Sequence, residues 1–214
     1  MVFVYILSVV VIAFVVLETL YLKRHSTTIA PTRTPHSNIS VKVCIVMGSG
    51  GHTTEMLSLV NALGHHYDRR TYIIAESDHL SEKKVLNLER SRNDGSFTVL
   101  RIGRSREVMQ SYFTAILTTL RALMHSFVLV WNERPDVILC NGPGTCIPVC
   151  FAAAVYDLLR LRDTRIFFIE SICRVQRLSL SALILYYMRI ADLIAVHWRD
   201  LASKYPRTKF IGDL

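Results

Sequence analysis

A histidine stands directly behind three closely spaced glycines in Gly48-Ser49-Gly50-Gly51-His52, between the apolar run 43–47 and a helix-like stretch. Glycines let backbone N–H groups come close to a ligand, and the helix N-terminus behind them adds about half a positive charge. That combination suits a phosphate or pyrophosphate. At the mouth of the loop, His52 can take a proton from a hydroxyl nucleophile or hydrogen-bond a phosphate. Thr53 follows, and Glu55 reads as a complement to the helix dipole in the first turn. Two familiar nucleotide motifs fail here. The third glycine of GxGxxG is replaced by Thr53, and Gly51 is followed by His52-Thr53 where a Walker A loop needs Lys and Ser/Thr. Neither NAD nor ATP chemistry is supported.

A second glycine loop, Asn141-Gly142-Pro143-Gly144-Thr145, follows the apolar run 136–140. Loops at the carboxyl ends of parallel strands share one edge, so the two can converge on one ligand. A third run, 165–169, ends at Glu170-Ser171, where the sheet surface opens. A carboxylate there can hydrogen-bond sugar hydroxyls or act as a base, or simply cap a helix. Arg174 and Arg177 follow and can hold phosphate or stay solvated. Arg101, Arg104 and Arg106 form a local basic cluster suited to anionic head groups or a lipid phosphate. His65 and His66 lack metal-ligand partners at a sensible spacing, and no metal site is expected.

These loops need a scaffold, and its elements are legible as alternation. Strands are expected at 42–47, 71–75, 97–102, 136–140, 165–169, 192–196 and 208–211. Several are apolar throughout, as in strands buried on both faces. Helices are expected at 53–63, 79–90, 106–131, 148–160, 178–190 and 198–204. The alternation predicts an α/β domain of Rossmann-like type, with a parallel sheet and helices on both faces. The stretch 106–131 carries apolar residues at helical spacing. Arg121 and His125 favour a helix packed on the sheet over a second membrane span.

The chain has 214 residues, a formal net charge of +8 and 51% apolar residues, with a mean hydropathy of +0.32. Much of that excess lies in residues 1–22, where Glu18 is the one charge. About 20 such residues span a bilayer core. No basic residue precedes the run, whereas Lys23, Arg24 and Arg33 follow it. A transmembrane anchor is therefore expected at 1–22, with the N-terminus lumenal and the body cytosolic. Residues 23–41, rich in Ser, Thr and Pro, read as a linker, and 42–214 as the domain. Asn38-Ile39-Ser40 is a sequon without meaning on the cytosolic side. The five cysteines, Cys44, Cys140, Cys146, Cys150 and Cys173, form no CxxC pair and read as reduced, buried thiols. Nucleic acid is a poor fit, since no interleaved basic and aromatic motif occurs.

The order of an apolar N-terminal segment, Gly-Ser-Gly-Gly-His-Thr-Thr-Glu-Met, Asn-Gly-Pro-Gly-Thr-Cys and Ile-Glu-Ser…Arg-Val…Leu-Ser-Leu-Ser is specific. It resembles the membrane-anchor subunit of the dolichol-pathway UDP-N-acetylglucosamine transferase over essentially the whole chain. More distantly it is similar to the acceptor half of the bacterial lipid II-forming transferase. The resemblance implies a subunit of an endoplasmic reticulum complex that adds the second GlcNAc to GlcNAc-pyrophosphoryl-dolichol. It implies the N-terminal, acceptor-side half of a GT-B enzyme. A small cytosolic catalytic subunit would supply the other half and bind the UDP-GlcNAc donor, so this chain would hold no cofactor of its own. Gly48, Ser49, Gly50, Gly51 and Thr53, with Asn141, Gly142, Gly144, Thr145 and Arg174, would face the lipid pyrophosphate and acceptor sugar. His52 and Glu170 would be the acid/base or sugar-binding groups. Residues 42–214 give room for one Rossmann-like half and too little for two.

Overall fold

In the computed structural model, residues 40–103, 112–142 and 144–212 are described, with backbone alone over 112–119. The expected anchor at 1–22, nearly all of the linker, and Arg104 and Arg106 lie outside these residues. Among the described residues, no helix is long and apolar enough to cross a membrane. The stretch 106–131, weighed as a second span, is helical over Tyr112–Glu133, and its residues 106–111 lie outside the described residues.

Among the described residues, seven parallel strands form one sheet and six helices connect them. The strands are β1 (Lys42–Val46), β2 (Arg69–Ala75), β3 (Ser96–Ile102), β4 (Val137–Cys140), β5 (Arg165–Ile169), β6 (Leu193–Val196) and β7 (Thr208–Phe210). Their spatial order is β3-β2-β1-β4-β5-β6-β7. The helices are α1 (Gly51–Asn61), α2 (His79–Arg92), α3 (Tyr112–Glu133), α4 (Cys146–Leu158), α5 (Leu180–Tyr187) and α6 (Arg199–Lys204). This is the Rossmann-like layout expected.

Each central strand is apolar on both faces because each face is covered. Met56 and Val60 of α1 and Val85 of α2 pack with Val43, Ile45, Tyr72 and Ile74 on one side. Leu129 and Val130 of α3, Val149 and Ala153 of α4 and Leu185 of α5 pack with Val46, Ile138, Ile166 and Phe168 on the other. Right-handed crossovers dictate that division, since the chain reverses its direction of travel across the sheet after β3. The reversal leaves a switch point between the adjacent strands β1 and β4, where open α/β sheets bind ligands.

Four cysteines are buried packers, and burial pushes the Cys44 thiol well above its usual range. Cys173 departs from expectation: it is exposed, on the loop after β5.

Strand β2 starts at Arg69, two residues before the expected run. Arg70 is fully buried within it because Glu89 of α2 neutralises it. Its Nε and Nη2 donate to the two Glu89 carboxylate oxygens, each at 2.7 Å. Arg70 also donates to the Tyr67 and Asp94 carbonyls, and the Tyr72 hydroxyl donates to Glu89. The Glu89 hydrogen bonds hold the Arg70 guanidinium above its usual pKa, and burial with the same carboxylate raises the Tyr72 phenol. This network closes the amino edge of the sheet.

Candidate functional site

The carboxyl edge carries the two glycine loops. Gly50 has φ +65°, a left-handed conformation that glycine adopts without strain. Helix α1 begins immediately after it and has no side-chain cap; α4, which follows the second loop, has none either. By contrast α2 is capped by Asp78 and α5 by Ser179. The two helices that start in glycine loops thus leave first-turn N–H groups for something else. A Cβ at Gly50, Gly51 or Gly144 would meet no protein atom within 4 Å. These glycines border open space rather than packing against the fold.

The loops touch each other. Gly142, at φ +72°, lies under the His52 ring, so closely that a Cβ there would sit 2.5 to 2.8 Å from three ring atoms. The fully buried Asn141 donates from Nδ2 to the His52 carbonyl at 2.9 Å and to Glu55 Oε2 at 3.3 Å. The hydroxyl of Ser171, after β5, donates to Glu55 Oε1 at 2.7 Å. Glu55 Oε2 also faces His52 Nδ1 at 3.5 Å. One carboxylate therefore ties together the loops after β1, β4 and β5. The hydroxyl of Ser181 on α5 adds a bond to the Gly142 carbonyl at 3.0 Å.

Two buried polar atoms in this cluster, His52 Nδ1 and Asn141 Oδ1, have no hydrogen-bond partner. Buried polar groups are normally paired, and the exceptions concentrate at functional sites.

The expected site residues divide. Ser49, Gly50, Gly51 and Gly144 are exposed at the edge, with His52, Gly142 and Thr145 half-buried among them. Thr53 faces inward instead. Its hydroxyl donates to the Gly48 carbonyl at 2.6 Å and meets the Ser81 hydroxyl at 2.7 Å, so it fastens the loop rather than presenting to a ligand. Glu170 stands at the carboxyl edge, but its carboxylate is buried. Its oxygens accept the Ser171 N–H at 3.0 Å and the Ser179 N–H at 2.6 Å. It pins both ends of the loop 171–179 and has no oxygen turned to a substrate. Arg174 is exposed on that loop, where it lines a cleft of 270 Å³ with Cys173, Val175, Gln176 and Arg177.

Glu55 is the residue that sequence reasoning underrated. The signal was present, since His52 and Glu55 stand three apart on one helical face. Its link to Ser171, 116 residues away, was not readable.

The family model described as "Oligosaccharide biosynthesis protein Alg14 like" matches residues 43–214. The chain belongs to the Alg14 family. It is similar to the "UDP-N-acetylglucosamine transferase subunit ALG14" of Mus musculus, with 44% identity over 183 residues, 82% of this chain and 83% of the relative. The human protein of the same description is 40% identical over 188 residues, 85% of each chain. Among solved structures, Acinetobacter baumannii MurG matches with a TM-score of 0.57 at 15% identity. That match covers 80% of this Alg14-family chain and 45% of MurG, and it shows the fold.

Proposed function

We propose that this Alg14-family chain is the acceptor-binding, membrane-anchoring subunit of a two-chain UDP-N-acetylglucosamine transferase. The complex would add the second GlcNAc to GlcNAc-pyrophosphoryl-dolichol at the cytosolic face of the endoplasmic reticulum. One observation carries the reading: two uncapped helix N-termini converge at the β1/β4 switch point, with His52 held between them. The names of the mouse and human relatives supply the reaction class. The MurG match, which takes up 45% of that chain, supports one half of a GT-B architecture, with the donor half on a second, small cytosolic subunit.

In this reading the N-termini of α1 and α4 hold the lipid pyrophosphate through backbone N–H groups. Arg174, exposed on the loop 171–179, adds a cation. Glu55 faces His52 Nδ1 and favours the proton on that nitrogen, which leaves Nε2 as the base. His52 takes the proton of the acceptor hydroxyl as its oxygen bonds to the donor anomeric carbon. The bond to UDP breaks and UDP leaves with the electron pair. Glu170 is a positioning residue that fixes the loop bearing Ser171 and Arg174.

The test is transfer from UDP-GlcNAc to a GlcNAc-pyrophosphoryl-lipid by the full chain in proteoliposomes, with and without a small soluble subunit sought by co-purification from detergent extracts. Turnover only with both supports the reading. Turnover by this chain alone makes it a self-sufficient enzyme. Turnover with both that His52→Ala leaves intact makes it a recruitment scaffold.

A further inference from the structure

Three thiols meet directly behind the second glycine loop. Cys140 ends β4, Cys146 opens α4, and Cys150 lies one turn further along that helix. All three are fully buried. Cys140 Sγ lies 3.6 Å from Cys150 Sγ, and the Cys140 thiol also reaches the Phe167 carbonyl at 3.6 Å. Cys146 is hydrogen-bonded to both of the other thiols and to Ser181. A single buried cysteine packs as a small hydrophobe, but three in mutual contact add the chemistry of sulfur to the packing. The transfer reaction proposed above makes no use of them.

The three are not alike. Cys146 is the first residue of a helix without a side-chain cap, and a helix N-terminus favours a thiolate. Hydrogen bonds from Cys140 and Cys150 act in the same sense and hold the Cys146 thiol below its usual pKa. The hydrogen bond to Cys146 pushes the Cys140 thiol above its own usual value, so Cys140 keeps its proton. A thiolate-prone sulfur beside protonated thiols is the arrangement that a small oxidant converts to a disulfide. Open space begins two residues before Cys146 in the chain, at Gly144, where a Cβ would meet no protein atom within 4 Å.

We propose that Cys140, Cys146 and Cys150 form an oxidisable thiol site whose co-reactant is a small hydroperoxide. The Cys146 thiolate attacks one peroxide oxygen, the O–O bond breaks, hydroxide leaves with the electron pair, and Cys146 becomes a sulfenic acid. A neighbouring thiol, Cys140 or Cys150, then attacks that sulfur. The S–O bond breaks, the hydroxide leaves as water with the attacking thiol's proton, and a disulfide forms. Two thiols are oxidised by two electrons in all, and the peroxide is reduced to water. Closure brings sulfurs that are now in van der Waals contact to about 2 Å, drawing the first turn of α4 and the end of β4 together. Ser181, which touches Cys146, donates to the Gly142 carbonyl, and Asn141, next to Cys140, bonds the His52 carbonyl and Glu55. The disulfide therefore distorts the loop against His52. That consequence for transfer rests on the acceptor-site reading of the loop, whereas the oxidation itself does not.

The full chain carrying Cys173→Ser, which removes the exposed thiol, is treated with dilute hydrogen peroxide and cleared with catalase. Its free thiols are alkylated after unfolding and its peptides mapped without reduction, while a second portion is assayed for transfer with the untreated soluble subunit. Expected are a disulfide among the three cysteines, with the loss of two hydrogens, and loss of most of the transfer activity, both reversed by dithiothreitol. Cys146→Ser should keep Cys140 and Cys150 reduced at the same dose and retain whatever rate it had before peroxide. If Cys146→Ser does not fold, brief peroxide with dimedone on the Cys173→Ser chain should label Cys146 and neither neighbour. All three thiols still free for alkylation at a dose that oxidises glutathione in the same tube would overturn the proposal, and so would dimedone on Cys140 or Cys150 in place of Cys146. A disulfide formed without loss of transfer upholds the thiol site and counts against the second glycine loop as the place where the acceptor binds.

Discussion

The two edges of the sheet are built on opposite rules. At the amino edge charges are paired: Arg70 is clamped by Glu89, Arg92 bonds Asp94, and Asp192 holds both the Arg165 guanidinium and the Ile166 N–H. At the carboxyl edge the two helices behind the glycine loops start without side-chain caps, glycines border open space, and Asn141 Oδ1 is buried without a hydrogen-bond partner. Saturation serves stability, because a buried charge is tolerated only when fully paired. Leaving donors and acceptors open costs stability, and a ligand recovers it. The contrast locates function at one edge and structural closure at the other.

The largest expected effect is at the saturated edge. Arg70→Ala strands Glu89 in the core and should cost about 3–5 kcal/mol of stability. Urea unfolding of the full chain in detergent checks this. Transfer activity per folded molecule should stay near wild type. A specific-activity loss would mean that the edges are coupled.

Gly142→Ala attacks the other edge. A left-handed alanine costs roughly 1–2 kcal/mol, and its Cβ would also collide with the His52 ring. The expected outcome is a kcat loss out of proportion to the modest drop in melting temperature. Equal falls in activity and folded fraction would make the loop contact purely structural.

Glu55→Gln keeps the size of the side chain and removes its charge. Hydrogen bonds to charged groups are worth about 1.5–3 kcal/mol, so kcat should fall roughly 10- to 150-fold. The loss should appear in kcat per folded molecule, with the melting temperature near wild type. A kcat within two-fold of wild type would leave Glu55 a mere tie between loops.

The smallest effect concerns pH. The hydrogen bond from Arg92, aided by the nearby Arg70 charge, holds the Asp94 carboxyl below its usual pKa. Its contribution to stability is therefore complete above the unfolded value, about 3.9, and is lost as pH falls through the lower folded value. Asp94→Asn should flatten that acid limb of the stability curve. An unaltered limb would assign it to other carboxylates.

The apolar strands were legible because burial on both faces leaves continuous runs; 165–169 was read without error. The glycine loops were legible because few other needs place three glycines in four residues. Arg70 was not legible: a charge at a strand start reads as a boundary, and its partner Glu89 lies 19 residues on, in a helix. Glu170 was placed on the right edge with the wrong task. Sequence shows where a carboxylate stands, but not that the N–H groups of Ser171 and Ser179 both claim it.

The account stands most directly on His52→Ala, measured in the reconstituted two-chain transferase alongside thermal unfolding of the same preparation. Removing the proton acceptor should lower kcat by about 10²–10⁴ while the melting temperature stays close to wild type. A kcat within a few-fold of wild type would contradict the assignment of the carboxyl edge as the place where the acceptor is activated.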